Sequence, residues 1–103
     1  MATEAKSNFV NKYLEKGEDQ FYRFLISYAV NKLVAIGNGT YKGVPPDQEL
    51  LEYYNQFIIL YRREGDTVYL DLARLFRKAA HKIYRVMLKK DMTPRNGKFL
   101  NLV

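Results

Sequence analysis

Only Gly65, Asp66 and at most Thr67 separate two long stretches of helical periodicity, and this short link constrains the fold more than any other feature of the chain. Before it, residues 47–64 place Leu50, Tyr53, Tyr54, Phe57, Leu60 and Tyr61 at three- and four-residue spacing, with Ile58 widening the apolar face. After it, residues 67–90 carry Leu72, Leu75, Phe76, Ala79, Ile83, Val86 and Met87 on one arc. So short a connection predicts an antiparallel helical hairpin. The end signals agree. Pro46 suits a first turn, Asp47 and Glu49 meet the positive end of the helix dipole, and Arg62 and Arg63 meet its negative end. Gly65 ends the first helix, and Asp66 or Thr67 caps the second. In isolation, Val68-Tyr69-Leu70-Asp71-Leu72 alternates like a strand, but the helical period running past it favours the helix.

Upstream, residues 3–16 set Ala5, Phe9 and Tyr13 at helical spacing with Val10 and Leu14 beside them, and Gly17 either caps this helix or kinks it into the next. Residues 19–36, opened by Asp19 and closed by Gly37, are apolar on nearly every side, which predicts the central and most buried helix. The expected fold is therefore all-α: a compact bundle of four helices at about 3–16, 19–36, 47–64 and 67–90. Residues 1–91 form the single domain, and 92–103 form a C-terminal tail whose apolar end, Phe99-Leu100-Asn101-Leu102-Val103, is expected to dock on its own bundle or to be offered to a partner.

With 103 residues, the chain is one domain in size, and its 48% hydrophobic content suits a packed core. No run is apolar enough to span a bilayer, since Arg23, Asn31 and Lys32 interrupt the longest one, so no stable membrane insertion is expected. Met1–Lys6 do not resemble a secretion signal, there is no cysteine, and a cytoplasmic protein is the expectation.

Charge is segregated along the chain. Residues 1–65 hold eight basic and eight acidic side chains, so 66–103 supply the entire net charge of +6. Between Arg74 and Lys90 stand seven basic residues and no acidic one. At 100° per residue, Arg74, Arg77, Lys78, Lys82, Arg85 and Lys89 fall opposite the apolar arc of their helix and form a cationic stripe. Leu70, Tyr84 and Leu88 project among or beside these cations, which is how a protein-binding or homodimer face looks. A face serving solubility alone usually mixes signs and gains i,i+4 pairs.

No catalytic, cofactor or metal motif stands out. The two serines, Ser7 and Ser27, have no histidine near them in sequence. His81, the sole histidine, lies among cations. Glu49 and Glu52 are one turn apart, but no second carboxylate pair or Glu-x-x-His answers them. Gly37-Asn38-Gly39-Thr40-Tyr41-Lys42-Gly43 follows a helix C-terminus, where free carbonyls repel anions, so it reads as a connection and not a phosphate loop. Of the nine tyrosines, most fall on inward arcs; Tyr41, Tyr69 and Tyr84 are the candidates for stacking on unpaired bases. The expected function is a non-enzymatic interaction module whose basic helix and tail bind an acidic or amphipathic protein partner, a second copy of itself included. The rival is nucleic acid held through the same stripe.

Overall fold

The structure is a computed structural model that describes the backbone of residues 2–90 and side chains from residue 8 onward. Every regular element among the described residues is helical: α1 (Ala2–Gly37), α2 (Pro46–Glu64) and α3 (Thr67–Lys89). The tail expected at 92–103, with its apolar end Phe99–Val103, lies outside the described residues.

Three helices replace the four-helix bundle expected from the sequence. The stretches 3–16 and 19–36 belong to one element, α1, with a single non-helical residue inside it: Gly17, at φ 84° and ψ 174°. Glycine alone enters this region without a steric penalty from Cβ, so of the two roles open to Gly17, a cap or a kink, the structure shows the kink. The turn is sharp. In a straight helix Phe9 and Phe21 would lie about 18 Å apart along the axis, yet their ring centroids are 6.3 Å apart. Tyr13 and Phe21 approach to 5.9 Å. The bend folds the first arm of α1 back over the start of the second.

A second correction concerns which helix is central. Phe21, Leu25, Ala29 and Leu33 make a buried i,i+4 ridge on α1, but Val30 is 38% exposed and Val34 57% exposed on another side of the same helix. Apolar side chains all round α1 therefore do not mean burial all round. The central element is α3, on which both other helices pack while α1 and α2 touch each other only slightly. Among the described residues, α3 supplies nine of the fifteen buried apolar side chains. Ala73, Ala79 and Ala80 on its inner arc are small enough to let neighbouring helices come close.

The hairpin of α2 and α3 follows the sequence expectation. Gly65, at φ 75°, closes α2 and donates its N–H to the Tyr61 carbonyl at 2.8 Å. Asp66 then caps α3, its carboxylate accepting from the Val68 N–H at 3.0 Å. Near this turn the rings of Phe57 and Tyr69 stack at 6.2 Å, while at the far end Asp47 of α2 faces Leu88 of α3 across a groove.

Besides the Phe9 ring edge-on to Tyr53 and Phe57, a polar clasp ties α1 to α2. Lys32 Nζ on α1 donates to Glu49 Oε1 on α2 at 2.9 Å, and Tyr28 donates to Glu49 Oε2 at 2.8 Å. The ammonium stands 4.8 Å from the ring centroids of both Tyr28 and Tyr41. Burial works to lower the Lys32 pKa, but hydrogen bonding with Tyr28 and Glu49 and the charge of Glu49 outweigh it and hold the amine firmly protonated.

Gly17→Ala is expected to lower stability by about 1–3 kcal/mol in urea denaturation, because alanine resists this φ,ψ region. No side chain crowds the position, so the loss is conformational and not steric. Gly37→Ala, also uncrowded and without a positive φ, is the control and should change stability by less than about 1 kcal/mol. Phe76→Ala, at a side chain with 0% exposure, is expected to cost about 3–5 kcal/mol in the same assay.

Candidate functional site

Inward and outward faces of α3 divide cleanly. Every buried residue of the helix lies within one arc, and Arg74, Arg77, Lys78, Lys82, Arg85 and Lys89 are all exposed on the opposite one. From Arg74 to Lys89 the stripe runs about 22 Å at 1.5 Å per residue. Among the described residues, no carboxylate comes within ion-pair distance of any of the six. Two of them lean on aromatic rings of neighbouring helices. Lys78 Nζ lies 4.7 Å from the Tyr22 ring centroid on α1, and the Arg77 guanidinium lies 6.0 Å from Tyr54 on α2. Those rings steady the stripe from its two flanks without neutralising it.

The apolar residues expected beside the stripe are separated by the structure. Tyr84 is half-buried and packed against the core, and Leu88 is 49% exposed. Both line one groove. Leu70 is half-buried near the other end of α3, about 27 Å from Leu88 along the helix axis, and takes no part in that groove.

The groove occupies about 260 Å³ between the start of α2 and the end of α3. Asp47 and Leu51, one turn apart, line it from α2; Ala80, Tyr84 and Leu88, spaced by four, line it from α3 with His81 and Arg85. Asp47 is the unexpected member. It is 1% exposed, and neither carboxylate oxygen has a hydrogen-bond partner. Burial pushes its pKa up to about 6, against the opposing pull of the Gln48 and Asp47 backbone amides. Those amides act through their dipoles, since neither closes a hydrogen bond of good geometry. In the sequence Asp47 reads as a surface acid complementing the helix dipole. The missed signal is its spacing: it precedes Leu50, Leu51, Tyr54 and Ile58 at helical intervals, which places it on a face lined by apolar side chains.

Other candidates have structural duties. Glu49 is held by Lys32 and Tyr28, whereas Glu52 is exposed, so the two do not form a shared acid–base site. Amides of the 38–41 connection turn back onto α1: Asn38 N–H donates to Val34, Gly39 to Ile36, and Thr40 and Tyr41 to Ala35. These four donors are therefore not presented to an anion. Among the described residues, no three His, Cys, Asp or Glu side chains group as metal ligands, and no helix is long and apolar enough to cross a membrane. Comparison with protein-family models, curated proteins and solved structures finds no match.

The raised Asp47 pKa makes a signed prediction. An unfolded aspartate titrates near 3.9, so between about pH 4 and pH 6 the folded chain binds more protons than the unfolded one, and this group's contribution to stability falls as pH rises. The shift from 3.8 to about 6 corresponds to at most about 3 kcal/mol. Urea denaturation of wild type and Asp47→Asn from pH 7 to 4 should show the wild type gaining up to that amount relative to the variant on acidification. Repeating the pair in a His81→Gln background removes the imidazole that shares this groove. A pH-independent difference would mean that Asp47 is not held above its ordinary value.

Proposed function

We propose that this chain is a non-enzymatic interaction module that binds an acidic, amphipathic protein segment along the outer face of α3. The observation that carries this reading is the stripe itself: six exposed cations over four turns, without an ion pair among the described residues. An acidic segment laid along it would supply the missing anions, and an apolar flank of that segment would meet Leu88 and Tyr84 in the adjoining groove. In the sequence, Arg95 and Lys98 add two further cations within the tail, 92–103. A cytoplasmic setting belongs to the proposal and is consistent with a chain that has no cysteine.

Two observations favour protein over single-stranded nucleic acid. Stacking needs exposed rings among the cations, but Tyr69 is 8% exposed and stacked on Phe57. Tyr41 holds Lys32 against its ring and donates its hydroxyl to the Val44 carbonyl at 3.0 Å. A second copy is a poor occupant of the stripe, because a twofold contact would set cation against cation.

Arg74 and Lys82 lie on the stripe but outside the groove, so Arg74→Glu/Lys82→Glu tests the stripe alone. Fluorescence anisotropy with a labelled amphipathic Glu/Leu helical peptide is expected to show binding by the wild type that weakens at least tenfold in the double variant. Absence of binding, or tighter retention of mixed-sequence DNA with affinity falling log-linearly in salt, would overturn the protein-partner reading.

A further inference from the structure

We propose that the groove between the start of α2 and the end of α3 is an anchor pocket for an indole, presented as a tryptophan side chain of the partner. This assignment rests on the protein-partner reading of α3 and specifies what that partner must carry.

Three properties of the groove define its ligand. Among its lining residues is a buried carboxylate, Asp47, neither of whose oxygens has a hydrogen-bond partner of good geometry. Leaving a buried acceptor unsatisfied is costly, so a ligand that brings an N–H recovers free energy that a purely apolar one does not. The walls are apolar: Leu51 on one side, with Ala80, Tyr84 and Leu88 on the other. They require a ligand body that is itself apolar. At about 260 Å³, the space falls just below the range of about 300–1,000 Å³ usual for small-molecule pockets. It suits one bicyclic ring better than a larger cofactor.

The third property is charge. His81 and Arg85 also line the groove, and Asp47 is the sole acid among its described lining residues. Bringing an ammonium in would set it near the Arg85 cation, which disfavours a lysine or free amine relative to a neutral donor. Indole meets all three conditions, with a large apolar body, one neutral N–H and no acceptor to oppose the carboxylate. Acidic residues flanking it on the partner would face Arg85 and the rest of the stripe, the same complementarity that the stripe requires. Tryptophan is also one of the residue types enriched among the buried anchors of protein interfaces. These 103 residues contain no tryptophan, so none of them is this occupant.

Indole and 1-methylindole differ at the N–H, which makes them a direct probe of the full-length protein without any variant. Titration followed by ¹H–¹⁵N NMR at pH 7.5 is expected to move the amides of Leu51, Ala80, Tyr84 and Leu88, with indole binding about tenfold more tightly than 1-methylindole. Asp47→Ala, with its fold checked by thermal denaturation, should abolish that preference. Equal affinity of the two probes in the wild type, or shifts mapping elsewhere, would overturn the assignment.

The stripe variant Arg74→Glu/Lys82→Glu is expected to leave indole binding unchanged while losing the Glu/Leu peptide. Failure of the pocket and failure of the stripe are therefore distinguishable. Placing one tryptophan on the apolar side of that peptide should tighten its binding about tenfold in the wild type and not in Asp47→Ala; no gain in the wild type would count against a partner tryptophan as the natural occupant.

Discussion

Phe76 stands where rings from every helix meet. Its centroid lies 5.1 Å from Phe9 and 5.9 Å from Phe21 on the two arms of α1, and 5.4 Å from Tyr53 and 5.5 Å from Phe57 on α2. The geometry is mixed, edge-on toward α1 and closer to parallel toward α2, as packed aromatic quadrupoles prefer. This contact determines more than local packing. Once Phe76 points inward, the periodicity of α3 fixes which side of the helix faces out, and every basic residue from Arg74 to Lys89 lies there. The cationic face and the aromatic core are two consequences of one helical phase.

Much of this arrangement can be read along the chain because its signals are local. The Gly65–Asp66 turn, the Asp66 cap and the arc from Leu72 to Met87 depend on spacings within a few turns, and the structure shows each as the spacing implies. Sequence and structure part where a local signal has two three-dimensional meanings. A glycine such as Gly17 can end a helix or bend it, and only the packing of Phe9 against Phe21 and Phe76 decides between them. Apolar density on 19–36 was similarly ambiguous. Burial depends on how many neighbours a helix has, and α3 has two sides covered where α1 leaves Val30 and Val34 in solvent.

The candidate site was legible in part. Exposure of the six cations follows from the same phase argument that predicted it, and Leu70 shares a face with Leu88 five turns along α3, so Tyr84 and Leu88 line the groove without it. Asp47 was hidden for a different reason. An acid in a first helical turn has a ready explanation in the dipole, and nothing in the sequence says that a second helix will close over it. Its burial arises from the antiparallel return of α3, whose last two turns bring Tyr84 and Leu88 beside the opening turn of α2. Hairpin topology thus brings a carboxylate without a hydrogen-bond partner onto a groove that Arg85 of the stripe also lines, with no ion pair between the two.

The Gly17 bend also bears on how the molecule comes apart. It leaves the first arm of α1 joined to the second through one pair of backbone dihedrals, with Phe9 and Tyr13 as its main purchase on the core. The α2–α3 hairpin is continuous through a two-residue turn and holds most of the buried side chains. The fold is therefore a graded one: an inner hairpin, a second arm seated on it through the Phe21–Leu33 ridge and the Lys32 clasp, and an outer arm that can open by rotation at a single residue while the rest stays paired. Opening at that residue uncovers one face of the aromatic cluster and leaves the cationic face of α3 in place.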